Sequence, residues 1–209
     1  VMHAHRVILA REMMFQGWYD LRPDDRLLHA GAFNWTFTLG TGLMDPWAIG
    51  ATALIPEAGT DPVQLPLLAR RHGATLLAAA PGIFRTMLRS EWKSWPELRH
   101  GLSAGERLDP SLREDWQART GTDLHEAMGM SECSTFLSGS PARPAPRGTA
   151  GYPQPGRRIA LVDDTGHLLP AGTEGQLAIH RSDPGLFQGY MGQPEETAAR
   201  FAGEWFLTG

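Results

Sequence analysis

The chain of 209 residues has a single cysteine, Cys133. One cysteine excludes an internal disulfide and fits a reducing compartment. No histidine pairs with it in a recognisable local signature, so the thiol reads as a buried structural group and not as a nucleophile. No apolar run approaches the ~20 residues of a membrane-spanning helix. Val1-Met2-His3 is not the charged head of a secretory leader. Basic residues are not in excess: 19 Lys+Arg against 23 Asp+Glu give a net charge of −4. A nucleic-acid footprint would need a basic stripe, and none is present. No Gly-(any)-Gly-(two residues)-Gly opens a helix after a strand, which disfavours a Rossmann-type NAD site. Internal repeats, heptads and low-complexity tails are also missing. What is there, 42% hydrophobic and 20% charged residues, is the composition of a soluble globular chain able to bury a substantial core.

The first 140 residues alternate strand and helix signals. A helix is expected over His3–Tyr19, where Val7, Leu9, Met13, Met14 and Trp18 recur at roughly helical spacing. Arg26–His29 and Ala51–Ile55 read as strands. Between them lies Gly31–Gly40, with aromatics at Phe33, Trp35 and Phe37. Asp61–His72 is a helix with Pro62 in its first turn and Gly73 at its end. The strand Thr75–Ala79, a helix from Pro81 to about Ser90, a strand and glycine turn around Leu102–Leu108, the helix Pro110–Thr120 and the strand Asp123–Ala127 follow. Such alternation with short connections predicts an α/β fold, a parallel sheet flanked by helices. Ser138–Pro155 is rich in Gly, Pro, Ser and Arg and marks a boundary. Short strands and turns come after it, Arg158–Val162 and Gly175–His180 among them, predicting a small antiparallel β subdomain. The expected division is 1–140 and 141–209.

The stretch most suggestive of chemistry is His125-Glu-Ala-Met-Gly-Met-Ser-Glu132. A strand is expected to run into a sharp turn at Gly129, with Ser131 and Glu132 just beyond. A hydroxyl and a carboxylate at the carboxyl end of a strand suit a phosphate and its magnesium ion. The same two residues could simply cap the next segment. His3-Ala-His5 resembles a metal pair, but two ligands without a third or fourth are better read as solvated or hydrogen-bonded histidines.

Met128-Gly129-Met130-Ser131-Glu132 resembles the Tyr-Gly-(any)-Thr-Glu motif of the adenylate-forming (AMP-binding) superfamily: acyl- and aryl-CoA synthetases, luciferases and peptide-synthetase adenylation domains. Ser131 keeps the threonine's hydroxyl. Met128 stands where an aromatic usually lies against adenine, as an aliphatic residue does in some benzoate-type CoA ligases. Other matches follow in family order. Val1 and His5 have the Val-(three residues)-His spacing found after the family's phosphate-binding loop. Ser103-Ala104-Gly105-Glu106 is similar to a segment that passes along the adenine. Gly148-Thr-Ala-Gly151, Gly172-Thr-Glu-Gly175-Gln-Leu, Leu186-Phe-Gln-Gly189-Tyr190 and Trp205-(two residues)-Thr208-Gly209 complete the series.

The resemblance covers the whole chain and lies nearest the benzoate-CoA ligase branch. It implies an internal fragment of the family's large N-terminal domain, cut after the phosphate loop and one residue short of a ribose-binding Asp. The implied activity is that of an ATP-dependent carboxylic acid:CoA ligase with Mg²⁺, ATP/AMP and CoA. Ser131, Glu132 and His5 would be its catalytic residues, with Glu132 on the metal. Ser103, Ala104, Gly105, Glu106, Met128, Gly129 and Met130 would face the nucleotide, and Phe33, Trp35 and Gly129 the acyl pocket. The 33–37 stretch has no acid to bind an amine, so an apolar aromatic or medium-chain acid is expected. The setting would be cytoplasmic, with neither membrane nor nucleic acid as partner and with a homodimer left open. The fragment alone would be inactive. A non-catalytic scaffold on the same fold and another adenylating enzyme, aryl or peptide-synthetase type, are the alternatives.

Overall fold

The computed structural model describes all residues, Val1–Gly209. The chain opens with α1 (Arg6–Ala10) and a π-helical turn at Phe15–Tyr19, and then enters β1 (Arg26–His29). Next come α2 (Thr36–Leu39), a second π-helical turn at Gly40–Met44, α3 (Asp45–Ala48) and β2 (Thr52–Leu54). Helices α4 (Leu65–Arg71), α5 (Pro81–Arg89) and α6 (Pro110–Thr120) alternate with β3 (Leu76–Ala79), β4 (His100–Ala104) and β5 (Leu124–Met130). After β6 (Ser134–Ser138) and β7 (Tyr152–Pro153) come β8 (Ile159–Val162), β9 (Gln176–His180), α7 (Pro194–Ala199), β10 (Phe201–Ala202) and β11 (Trp205–Leu207).

The first sheet has seven strands in the order β2-β1-β3-β4-β5-β6-β7. Its first five strands are parallel and its last two antiparallel. Strand periodicity explains why both faces are covered. Leu27, Leu76, Ala78 and Leu102 pack with Trp18 and Tyr19 on one face. Their neighbours Leu28, Leu77 and Ala79 pack on the other, against Leu65 and Ala69 of α4, Phe84 and Met87 of α5, and Trp116 of α6. Each of those three helices is entered through a proline in its first turn, where the missing N–H costs no hydrogen bond. Asp109 caps α6 by accepting from Ser111 N.

The second sheet, β10-β11-β9-β8, is wholly antiparallel. The Gly/Pro-rich stretch returns to the first sheet through β7, so that sheet ends at Pro153 and the second begins at Ile159. A third core joins the two sheets, with Phe136 of β6 and Cys133 beside Ile179, Phe187 and Phe206. At its centre Arg157 and Asp183 form an ion pair of 3.0 Å with both side chains fully buried. Arg157 also donates to Thr135 O, and Asp183 accepts from the amides of Arg158 and Gly185. The Cys133 thiol packs against both, and burial first, then Asp183, pushes its pKa up to about 12. It is a structural thiol, as its sequence context suggested. No helix is long and apolar enough to cross a membrane.

Two local expectations need correction. The helix expected over His3–Tyr19 is broken after Ala10. Arg11 turns inward to Asp45, and the wider π turn that follows lets consecutive Trp18 and Tyr19 both bury completely. At Gly17 a Cβ would lie 2.9 Å from Pro155 Cδ, so close packing also requires that glycine. Nor does the chain turn at Gly129. Strand β5 runs on to Met130 with a bulge between Met128 and Gly129, and the turn falls at 131–133. Gly129 serves close approach: a Cβ there would lie 2.5 Å from Ser134 O on β6.

Candidate functional site

Two clefts open at the carboxyl ends of β4 and β5, where open α/β sheets place their ligands. The larger, about 570 Å³, lies between Gly105–Leu108, the end of β5, the start of α6 and the loop Ala145–Ala150. The smaller, about 220 Å³, lies between Trp35–Phe37, Ala104–Gly105 and Gly129–Ser131. Both clefts share Gly105 and Gly129. Gly105 has φ +94, and the Trp35 indole lies against the place where its Cβ would stand. A side chain there would be strained and would also displace the ring.

Met128 is 43% exposed and lines the larger cleft together with Gly105 and Glu106. Met130 and Ser131 line the smaller. The Ser131 hydroxyl pairs with Thr36 Oγ1 at 3.0 Å, and its carbonyl accepts from His3 Nε2 at 2.7 Å. Glu132 accepts from the Tyr190 hydroxyl at 2.7 Å, which leaves its second carboxylate oxygen uncommitted. Ser131 and Glu132 are both half-buried and neither is lost in packing. Among the remaining residues singled out from sequence, Ala104 borders the smaller cleft and Glu106 the larger. Ser103 is fully buried, and its hydroxyl has no partner. Phe33 and His5 are exposed and line neither cleft; His3 is the histidine that reaches the Ser131 turn. No group of three or more metal-binding side chains is present, so His3 and His5 do not form part of such a cluster.

Sequence reading missed two features. Glu126 of β5 lines the larger cleft and accepts from Leu108 N at 2.8 Å, and burial raises its pKa. It belongs to the same strand as Met128, two residues back and so on the same face, a period-2 signal that was available. The second feature is a buried polar network beside the smaller cleft. Arg11 holds Asp45 through Nε at 2.6 Å and Nη2 at 2.7 Å, and its Nη1 donates to Ser134 Oγ at 2.7 Å. Tyr19 donates to Asp45 Oδ2 at 2.8 Å and contacts Thr41 Oγ1 at 2.7 Å. Burial works against the charge on Arg11, and Asp45 more than offsets it, so the guanidinium stays protonated. Burial, then Asp45, raises the Tyr19 pKa and keeps it a phenol.

Two clefts thus meet at two glycines, with a hydroxyl and a carboxylate on the turn beyond. The AMP-binding enzyme family matches residues 1–191. The chain belongs to that family. It is 30% identical over its whole length to a 3-hydroxybenzoate–CoA ligase of Aromatoleum sp., of which it covers 40%. It is 32% identical over 99% of its length to a benzoate–CoA ligase of Thauera aromatica, again covering 40% of that protein. The solved anthranilate CoA ligase AuaEII in complex with anthranoyl-AMP superposes with a TM-score of 0.87 at 28% identity, over 99% of this chain and 41% of that one. A benzoate CoA ligase from Burkholderia xenovorans gives 0.86 at 29% identity, over 99% and 43%. The AMP-binding chain described here thus spans about two fifths of the length of these relatives.

Proposed function

We propose that this chain carries the acid and nucleotide sites of an ATP-dependent carboxylic acid:CoA ligase of the AMP-binding family. The observation that supports this reading best is the junction of two clefts at Gly105 and Gly129, with Ser131 and Glu132 beside it. The larger cleft takes the adenine of ATP and the smaller takes the acyl group. A carboxylate oxygen attacks the α-phosphorus, the bond to pyrophosphate breaks, and an acyl-adenylate forms. The CoA thiol then attacks the acyl carbon, and AMP leaves. The first step needs positioning and charge neutralisation more than covalent help.

Within that scheme Ser131 donates to a phosphate oxygen. The His3 contact to its carbonyl and the Thr36 contact to its hydroxyl hold it in place. Glu126 offers an acceptor for an exocyclic amine on the base, and Met128 covers one face of the ring. Magnesium is held characteristically by one or two carboxylates together with phosphate oxygens and water. Glu132, with one oxygen bound to Tyr190 and one uncommitted, fits that pattern. When bound, the ion would neutralise phosphate charge. At about 220 Å³ the smaller cleft falls below the ~300–1,000 Å³ typical of drug-sized ligands. That size favours a one-ring or short acid. The unpaired Cys133 thiol is compatible with a reducing, cytoplasmic setting.

The test is carboxylate-dependent exchange of pyrophosphate into ATP, in a protein with the length of the relatives. Exchange stimulated by small aryl acids is expected, and a complete lack of it with any acid would defeat the reading in favour of a scaffold role. The 209-residue chain alone is expected to bind AMP without releasing pyrophosphate from ATP.

A further inference from the structure

The smaller cleft changes character with depth. At its mouth Trp35 is 37% exposed, with Met130 and Ser131 nearby. At its inner end Arg11 and Thr41 are 6% and 1% exposed. An apolar acid would bury its far end against these polar groups.

Their unused hydrogen-bonding capacity can be counted. Arg11 has five N–H groups. Two go to Asp45 and one to Ser134 Oγ, leaving two. Ser134 Oγ accepts from Arg11, so its own proton is free to donate. Tyr19 gives its proton to Asp45, so the Tyr19–Thr41 contact takes the proton of Thr41. Thr41 Oγ1 is left as an acceptor. The inner end therefore offers donors from Arg11 and Ser134 and an acceptor from Thr41. Asp45 already balances the charge of Arg11, so nothing there calls for a second carboxylate.

We propose that the inner end of the smaller cleft recognises a hydroxyl group on the acid, selecting small hydroxylated aryl acids over their unsubstituted or methylated counterparts. The inference rests on the reading above, in which this cleft holds the acyl group with its carboxylate near Ser131. A hydroxyl accepts from Arg11 or Ser134 and donates to Thr41, matching both kinds of capacity. A methyl in its place would leave buried polar groups unpaired, the situation in which binding sites discriminate most strongly. A carboxylate has no proton for Thr41 and would approach Asp45.

The experiment titrates the 209-residue chain with 3- and 4-hydroxybenzoate, 3- and 4-methylbenzoate, benzoate and AMP, following backbone amide shifts by NMR. The better hydroxybenzoate is expected to bind about tenfold tighter than its methyl counterpart, as one or two hydrogen bonds would give. Thr41→Val should abolish most of that preference, with the AMP titration as its folding control. If that variant fails to fold, Thr41→Ala, which removes the same acceptor, takes its place with the same expectation. Methylbenzoates binding as well as hydroxybenzoates would overturn the inference, as would AMP binding with no binding of any acid. Binding of neither AMP nor acid would instead overturn the ligase reading, and the inference with it.

Discussion

Glu132 has one oxygen tied to Tyr190 and one uncommitted. That asymmetry makes a specific expectation at the scale of single side chains. Glu132→Ala should abolish the magnesium-dependent part of ATP binding while leaving AMP binding in the absence of metal within a few fold. Tyr190→Phe, which removes only the orienting hydroxyl, should have a smaller effect of about 0.5–1.5 kcal/mol. Isothermal titration with and without magnesium separates the two, and equal losses for both nucleotides in Glu132→Ala would count against the metal role. Legibility at this scale was uneven. Ser131 and Glu132 stand out because a hydroxyl–carboxylate pair after a strand is a compact local pattern. Arg11, Thr41 and Asp45 do not, because Arg11 meets its partner 34 residues on. No spacing rule connects an arginine in a helical stretch with an aspartate before a proline.

Among the elements, strands and helices bounded by glycine and proline could be read from sequence: α4, α5 and α6 begin at or just before prolines, and Gly73 and Gly121, both at positive φ, follow α4 and α6. The first π turn could not, since its widening answers to the burial of Trp18 and Tyr19 and not to local preference. The role of Gly129 was also hidden. Glycine in a strand signals either a bend or a close neighbour, and only the paired strand decides between them. Because the neighbour is backbone of β6, Gly129→Ala should cost about 1–3 kcal/mol through overpacking. A lower Tm measures this, and an unchanged Tm would show that the ladder yields freely. The Arg157–Asp183 pair ties β6 and the second sheet together with no water access. Asp183→Asn leaves Arg157 uncompensated and should cost about 3–5 kcal/mol, read as an early loss of structure on denaturation.

For the molecule as a whole, pH is the sharper probe. His29, His100 and His125 are all buried, and burial is the main cause that pushes them down to about 3, 4 and 3. His100 donates through Nε2 to Tyr19 O, and its ring meets that of His125 at 5.2 Å. All three are neutral when folded, whereas an unfolded chain protonates them below about 6.5. Their folded pKa values are depressed, so stability is fully present above about pH 6.5 and falls as the pH drops toward 4. The loss approaches ~1.4 kcal/mol per pH unit for each histidine, about 4 kcal/mol per pH unit for the three together, so roughly two pH units are enough to draw on much of the ~5–15 kcal/mol of a typical fold. Unfolding near pH 4–5, followed by circular dichroism, is expected. A chain still folded at pH 3 would mean that these sites admit water.

Gly105 and Gly129 border both clefts at once, and neither has a side chain to keep them apart. What divides the two chambers at that point is a party wall of bare backbone. Anyone remodelling the chain for a bulkier acid inherits the geometry of two adjoining rooms: moving this partition outward on one side moves it inward on the other. Variants with altered acid preference are better sought at Thr41, Phe37 and Ser134, which stand on the outer walls of one room only.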